Sequence, residues 1–321
     1  MAILTSLESI VPIILLIALG YFLNARGWFS EKFPADLSKY IMNAALPASV
    51  FVSVLKYLTR DKLLSLSSGL LYSFSSIIIG YAMAFALVKL MKIKPGRRGI
   101  FINTIVNANT IFIGLPLNIA LFGDDSLPYF LVYYVTNTVS TWAIGAIIIA
   151  QDDPTKEKGS QGGNSFNWKK LLPAPLLGFL VALVFLIFDI PVPIALNSTL
   201  TYLGETVTPL SLIYIGISLQ VAGLKSIHFD RDTIVAMLGR FVFAPLVMIG
   251  LVLGASGVFG ALPTIEAHTL IIQSAVPALA VLPILASQSH GDVEYATNVV
   301  TISTLLFVIV VPLLNMLLAY L

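Results

Sequence analysis

Ten apolar stretches follow one another along this chain and restrict its possible folds more than any other feature. A helix needs about 20 apolar residues to cross the roughly 30 Å of hydrocarbon in a bilayer. A chain that is 58% hydrophobic and only 11% charged cannot be a soluble globular domain. The sequence therefore predicts an all-α polytopic membrane protein in contact with the lipid bilayer. Its predicted segments, numbered one to ten, are 9–24, 35–55, 64–91, 99–122, 127–150, 171–188, 199–221, 233–254, 266–287 and 295–320.

Positive charges are distributed unequally among the loops between these segments. If successive loops lie on opposite sides of a membrane, fourteen Lys and Arg residues fall on one side and three on the other. The side richer in Lys and Arg is usually cytoplasmic. We therefore expect a multi-pass protein of the cell (plasma) membrane with both termini extracellular. The net charge of +2 is too small to indicate a nucleic-acid partner.

One hydrophilic stretch, residues 151–169, divides the segments into two groups of five. Its Gly, Ser and charged residues indicate a flexible cytoplasmic linker. A weak repeat relates residues 1–150 to residues 170–321, because Leu115-Pro116-Leu117 matches Leu282-Pro283-Ile284 at an offset of 167. Five is odd, so the second repeat enters the membrane from the opposite side. Such an inverted repeat lets a carrier expose one central site to each side in turn.

Segment four is apolar enough to span a bilayer and yet contains polar and helix-breaking residues. Pro116 lacks an amide hydrogen and clashes with the preceding turn, so nearby carbonyls lose their intrahelical partners. Such carbonyls are costly in hydrocarbon unless protein, water or a ligand meets them. We therefore expect a helix that is broken at Gly114 and Pro116 and that binds a substrate. The polar residues on or beside its one polar face are Asn103, Asn107, Asn109, Thr110 and Asn118.

Segment nine is the predicted repeat partner of segment four. Pro277 and Pro283 supply its break, and Gln273 and Ser274 supply its polar groups. Two broken helices that cross near the middle of the membrane would direct half-helix N-termini, each with partial positive charge, to one point. This arrangement favours an anionic substrate.

These motifs resemble the auxin efflux carrier family of secondary transporters, which includes plant PIN-FORMED carriers and bacterial malate or malonate permeases. The resemblance is carried by NTIFIGLPLNIALFG, which begins at Asn109, and by SAVPALAVLPILASQSHGDVEYAT, which begins at Ser274. It extends over nearly the whole chain. Asn109 matches the family's substrate-contacting asparagine and Pro116 its crossover proline. Pro277 matches its first proline in segment nine, whereas Pro283 lies one residue further on than in the plant proteins.

The resemblance implies a fold similar to that of bile-acid symporters and sodium-proton antiporters, with ten helices in two inverted five-helix repeats. Segments one, two, six and seven would form a scaffold, and segments three to five and eight to ten would form a transport domain. Segments four and nine would cross within it. The family also implies a homodimer formed through the scaffold and an elevator-like movement of an organic anion.

Several further polar residues have two open interpretations. Asn137, Thr138 and Thr141 lie on segment five. They could extend the substrate site or bind a coupling ion, or they could only form hydrogen bonds between helices. Glu205 and Arg240 are the charges deepest in predicted segments, so they take part in coupling or form a structural ion pair. Acidic residues such as Asp125 and Asp292 are expected in extracellular turns.

The sequence thus predicts a secondary active transporter of a small organic anion, such as a malate-like dicarboxylate or related carboxylate. A proton, Na⁺ or an exchanged anion would drive it, and no cofactor is expected. The alternatives are a channel or a membrane receptor for an organic acid and, more remotely, an intramembrane protease with Ser256 as nucleophile. The protease reaction needs a histidine base near that serine. His268 lies twelve residues further on, so we expect no enzyme activity.

Overall fold

The computed structural model describes residues 2–57, 59–155, 174–223 and 227–318. Every regular element in these ranges is a helix. Most of the predicted linker, residues 156–169, lies outside the described residues. Five described helices are long and apolar enough to cross a bilayer, as a polytopic membrane protein requires. They are Phe33–Lys56, Ser68–Met91, Leu127–Gln151, Arg231–Gly254 and Val293–Leu318.

Helices lie within all ten predicted segments, although the arrangement of ten spans as two inverted repeats stays a prediction. Segments one, three, six and ten are Ala2–Ala25, Arg60–Met91, Ala174–Ile187 and Val293–Leu318. Segments two, five and eight are Phe33–Tyr40 with Leu46–Tyr57, Leu127–Val139 with Ala146–Gln151, and Arg231–Leu238 with Ala244–Gly254. Segments four, seven and nine are Arg98–Val106 with Leu115–Phe122, Ile194–Glu205 with Val207–Ala222, and Thr264–Ser274 with Leu282–Gln288.

Short π-helical turns lie within four of these segments, at Ile41–Ala45, Thr110–Gly114, Ser140–Gly145 and Gly239–Phe243. In three of the four cases a proline is the second residue of the α-helix that follows, namely Pro47, Pro116 or Pro245. Proline cannot donate a backbone hydrogen bond and crowds the preceding carbonyl. The wider π turn accommodates that defect without ending the helix.

Contacts join the segments within two groups, and they also join the groups where segments one and seven meet segment four. Segment one lies along Val207–Ala222 of segment seven, and Leu46–Tyr57 of segment two contacts segments six and seven. Segment three contacts segments four, five and eight, and segment nine contacts segment five. The first group consists of the segments expected in a scaffold, and the second consists of segments expected in a transport domain. Movement of one group relative to the other stays a prediction.

An ion cluster ties together three loops at one end of the second group. Arg97 Nε donates to Asp292 Oδ2 over 2.6 Å, and its Nη1 donates to Asp230 Oδ2 over 2.7 Å. The guanidinium carbon lies 4.7 Å from the centre of the Tyr295 ring. Burial disfavours the charged form of Arg97, but the hydrogen bonds and charges of the two aspartates outweigh it and raise the pKa of Arg97.

The pKa of Asp230 in the same cluster is lowered. Burial opposes the shift, but hydrogen bonds from Thr233 and from Arg97 outweigh burial and favour the carboxylate. A carboxyl group with a lowered pKa stabilises the folded protein above its unfolded-state pKa. That contribution is lost as the pH falls through its folded-state pKa. The cluster should therefore weaken in acid.

The sequence predicts Asp292 in an extracellular turn, but the structure places it at the same end of the molecule as Arg97. It bonds Arg97, and its amide donates to the Gly96 carbonyl over 3.0 Å. Arg97 belongs to the loops rich in Lys and Arg, so Asp292 shares the side predicted to be cytoplasmic. The reason is the direction of the chain: segment four begins at this end of the molecule, whereas segment nine runs antiparallel to it and ends here.

Replacing Arg97 by Gln is expected to destabilise the protein by about 1 to 2 kcal/mol, because two charge-assisted hydrogen bonds are lost in a partly exposed site. Thermal unfolding in detergent measures the loss, which should shrink in high salt. Arg98→Gln is the matched control, since Arg98 Nε bonds only the Ile93 carbonyl among the described groups. Equal losses in the two variants would contradict a specific role of the cluster.

Candidate functional site

Segments four and nine are both interrupted. Segment four consists of half-helix 4a (Arg98–Val106) and half-helix 4b (Thr110–Phe122), and residues 107–109 between them are not helical. Segment nine consists of half-helix 9a (Thr264–Ser274) and half-helix 9b (Leu282–Gln288), separated by residues 275–281.

The prolines lie at different places relative to these interruptions. In segment four the sequence predicts a break at Gly114 and Pro116, but the π turn keeps both residues inside half-helix 4b. The break therefore lies at residues 107–109. Pro277 lies within the interruption of segment nine, whereas Pro283 is the second residue of half-helix 9b. In the first turn of a helix the missing amide hydrogen of proline removes no intrahelical bond.

The two interruptions are bonded to each other. Asn109 N donates to the Pro277 carbonyl over 2.8 Å, and Ala108 pairs with Ala278 in an isolated antiparallel bridge. Asn137 of segment five bonds the backbone of Ala108 as well. Its Oδ1 accepts from Ala108 N over 2.8 Å, and its Nδ2 donates to the Ala108 carbonyl over 2.9 Å. Protein groups thus satisfy the backbone N–H and C=O of Ala108 and the N–H of Asn109, as non-helical backbone at membrane depth requires.

Arg240 of segment eight binds the ends of both first half-helices. Its Nε donates to the Val276 carbonyl over 2.6 Å, and its Nη1 donates to the Ile105 carbonyl over 2.8 Å. Ile105 belongs to the last turn of half-helix 4a, and Val276 follows half-helix 9a. The fully buried guanidinium therefore lies at the negative ends of two helix dipoles. The carbonyls and dipoles offset the cost of a buried cation.

The predicted ion pair between Arg240 and Glu205 is not formed. Glu205 is exposed at the end of helix Ile194–Glu205, and it lines a different cavity, of about 960 Å³. That cavity lies between segments two, six and seven and also reaches Leu115 and Ile119 of half-helix 4b. Backbone carbonyls, which the sequence pattern does not reveal, take the place of the carboxylate as partners of Arg240.

A cavity of about 350 Å³ borders the bonded interruptions. Its volume is in the range of pockets that enclose small organic molecules. Its polar groups come mainly from segments four and five, and the rest of its wall is apolar or aromatic. No Lys or Arg is among the described residues that line it. The lining consists of Ser38, Met42, Ala108, Asn109, Thr110, Ile111, Phe112, Tyr134, Asn137, Thr138, Thr141, Trp142, Leu279, Ala280, Val281, Leu285 and Gln288.

Asn109 presents a hydrogen-bond donor to this cavity. Its Oδ1 accepts from Phe112 N over 3.4 Å and so caps half-helix 4b. Within the described parts of the chain, neither Asn109 Nδ2 nor the amide hydrogen of Ile111 has a hydrogen-bond acceptor. Free amide hydrogens at a helix N-terminus carry partial positive charge and bind anions. This end of the cavity can therefore receive a carboxylate without a cationic side chain.

Asn103 and Asn107 do not line the cavity. Asn103 Nδ2 donates to the Gly99 and Gly145 carbonyls over 2.8 and 3.0 Å. Asn107 Nδ2 donates to Asn103 Oδ1 over 2.8 Å, and its Oδ1 accepts from Ser140 Oγ over 2.5 Å. Both amides therefore join segment four to segment five.

Gln273 and Ser274 also lie outside the cavity lining. Gln273 Nε2 donates to the Gly114 carbonyl over 2.9 Å, and a Cβ atom at position 114 would overlap Gln273 Oε1. Gly114 therefore allows half-helix 9a to approach half-helix 4b closely. Ser274 Oγ donates to the Ile271 carbonyl of its own helix over 2.6 Å. Of the residues assigned to substrate binding from sequence, the cavity brings together Asn109, Thr110 and Asn137.

Aromatic residues of the cavity are missing from the sequence prediction. Tyr134 and Trp142 lie at steps of three and four from Asn137 and Thr138, so the helical periodicity of segment five could have revealed them. Leu279 to Val281 could not be recognised in this way, because they lie in the non-helical part of segment nine.

Comparison with known proteins agrees with this architecture. A sequence model of the family described as "Membrane transport protein" matches residues 5–315. The chain belongs to this family of membrane transporters, which confirms its resemblance to the auxin efflux carriers.

Similar proteins include an uncharacterized transporter of Methanothermobacter thermautotrophicus, 24% identical over 96% of this chain and 97% of the relative. An uncharacterized transporter of Methanocaldococcus jannaschii is 22% identical over 96% of this chain and 97% of its own length. The uncharacterized transporter YfdV of Escherichia coli is 23% identical over 95% of each chain. All three match this chain along nearly its whole length.

Proposed function

We propose that this protein is a secondary active carrier of a small organic anion in the cell membrane and that it is not an enzyme. The observation that carries the proposal is the junction of two interrupted helices beside a cavity of about 350 Å³. Two residues that line this cavity, Asn109 and Ile111, have a donor without an acceptor among the described residues, namely Asn109 Nδ2 and the amide hydrogen of Ile111. They would bind the anionic group, with Thr110 and Asn137 beside it. Half-helix N-termini at an interrupted membrane segment are used in this way by several carrier folds.

The lining favours a monocarboxylate with an apolar body over a malate-like dicarboxylate. Polar donors gather around Asn109 and Asn137, whereas Phe112, Tyr134 and Trp142 contribute aromatic surface. A second carboxylate would enter this apolar part and would lose its hydration without gaining a cationic partner. A single carboxylate would instead lie at the amide hydrogens while the remainder of the molecule contacts the rings.

Alternating access by an elevator-like step is the proposed mechanism. Half-helix 4b supports it because it lines both cavities, the smaller with Ile111 and Phe112 and the larger with Leu115 and Ile119. Phe112 also stacks on Tyr214 of the scaffold group, with ring centres 4.8 Å apart. Movement of the transport segments would carry the anion from one cavity to the other. A proton, Na⁺ or an exchanged anion would supply the energy, and two copies would associate through their scaffold segments.

Uptake into liposomes tests this proposal. Purified protein should take up radiolabelled benzoate with saturable kinetics, and unlabelled benzoate inside the liposomes should accelerate the uptake. Malate should compete at least tenfold more weakly, because its second carboxylate has no cationic partner. A channel would instead conduct without saturation or counterflow. A receptor would bind an acid without transporting it, so binding without uptake would also contradict the carrier.

A further inference from the structure

Half-helix 9a carries a row of buried polar side chains that do not reach the substrate cavity. Glu266, Thr269 and Gln273 are three and four residues apart, so they lie on one face of the helix. All three are fully buried. Both carboxylate oxygens of Glu266, Thr269 Oγ1 and Gln273 Oε1 lack hydrogen-bond partners among the described residues. Ser73 Oγ on segment three, which packs against half-helix 9a, is also buried and has no partner in the described part of the chain.

The carboxyl group of Glu266 occupies space that a glycine provides. A Cβ atom at Gly69 of segment three would overlap Oε1 of Glu266, and it would lie 3.2 Å from Val132 of segment five. Among the described residues, the titratable groups on which the charge of Glu266 acts are Tyr72 on segment three and Tyr129 on segment five. The Tyr72 hydroxyl donates to the Gly260 carbonyl over 2.9 Å and not to the carboxylate.

This environment favours a bound proton or metal cation at the carboxyl group. An ionised carboxylate is costly in a low-dielectric interior unless a partner neutralises it. No described Lys or Arg forms an ion pair with Glu266, and the other unpartnered atoms of the row are hydroxyl and amide oxygens. Oxygen atoms are the ligands of hard cations such as Na⁺ and Ca²⁺. One carboxylate balances one positive charge, so a monovalent cation fits better than a divalent one.

We propose that Glu266 holds the coupling cation of the carrier, either as a proton on the carboxyl group or as Na⁺. The inference rests on the proposed carrier function and assigns its energy source to one residue. Half-helix 9a links this residue to the substrate site. Gln273 of the same row donates to the Gly114 carbonyl of half-helix 4b, and the helix ends one residue later at the interruption. A change of charge at Glu266 would therefore affect half-helix 9a, which is bonded to half-helix 4b through Gln273.

Thermal unfolding of the purified protein tests the cation site without any substrate. If Na⁺ is the cation, the melting temperature of the wild type should be a few degrees higher in NaCl than in choline chloride at equal ionic strength. If a proton is the cation, the melting temperature should fall as the pH rises, because ionisation leaves an unpartnered carboxylate in the interior. Glu266→Gln should remove either response, since its neutral amide needs no cation.

Thr269→Val separates the two cations. The variant removes the hydroxyl ligand proposed for Na⁺ with little change of volume. It should raise the Na⁺ concentration at the midpoint of the response at least tenfold and leave a proton response unchanged. Identical responses to Na⁺ and to pH in the wild type and in Glu266→Gln would overturn the proposal.

If Glu266→Gln does not fold, Glu266→Asp keeps the charge but shortens its reach. It should shift the Na⁺ concentration or the pH at the midpoint of the response. An unchanged midpoint in Glu266→Asp would count against the site. If the wild type shows the cation response but takes up no anion, that result would contradict the carrier function and not the cation site.

Discussion

Arg240→Met is expected to destabilise the protein by about 3 to 5 kcal/mol, which corresponds to a fall in melting temperature on the order of 10 °C. Methionine fills a similar apolar volume and is well tolerated in membranes, so the loss reports the guanidinium itself. Without it, the carbonyls of Ile105 and Val276 lose their donors at buried helix ends. Size-exclusion chromatography after heating measures the fraction that remains folded.

Two further variants show whether this effect is specific. Arg240→Lys keeps the charge but not the planar fork that reaches two carbonyls, so an intermediate loss is expected. Arg231→Met makes the same substitution at the exposed start of the same segment, where Arg231 donates to the Met91 carbonyl over 2.6 Å. Equal destabilisation by Arg231→Met and Arg240→Met would contradict the proposed stabilisation of the crossover by Arg240.

The sequence predicts the positions of the helices and the existence of two interrupted segments, because these properties depend on local features. Apolar length determines where a helix can span a bilayer. Small and polar residues mark segment four, and proline marks segment nine. The position of the break in segment four could not be predicted in this way, because the chain accommodates Pro116 by a π turn and is interrupted earlier, at residues 107–109. That adjustment of the backbone has no counterpart in the spacing of residues.

The candidate site could be predicted only in part, because a helical face can be read from sequence but its neighbour cannot. Asn103, Asn107 and Thr110 share a face by their spacing. Asn103 lies before the interruption and Asn107 is its first residue, and both form hydrogen bonds to segment five. Thr110 lies after the interruption and borders the cavity. The change of direction at residues 107–109 separates them. The partners of Arg240 are backbone carbonyls far away in sequence, which a search for charged pairs does not reveal.

Asn109→Ala is expected to lower the apparent affinity for the transported anion about tenfold to a hundredfold. A hydrogen bond to a charged group contributes roughly 1.5 to 3 kcal/mol, and Asn109 Nδ2 is the proposed donor. Stability should change by only about 1 kcal/mol, because the one side-chain bond lost within the described structure is the 3.4 Å cap on Phe112 N. Uptake into liposomes measures the affinity for benzoate or malate, whichever the wild type transports.

Two further substitutions test whether Asn109 contacts the anion. Asn109→Asp retains the size and the capping oxygen of the side chain but replaces the donor by a negative charge, so anion uptake should fall further than in Asn109→Ala. Asn24→Ala is the matched control, because Asn24 donates to Gln220 between segments one and seven and does not border the cavity. If Asn109→Asp transports as well as the wild type, the carboxylate of the substrate does not bind beside Asn109. A loss of affinity in Asn24→Ala as large as in Asn109→Ala would mean that both substitutions act through the fold and not through a contact with the anion.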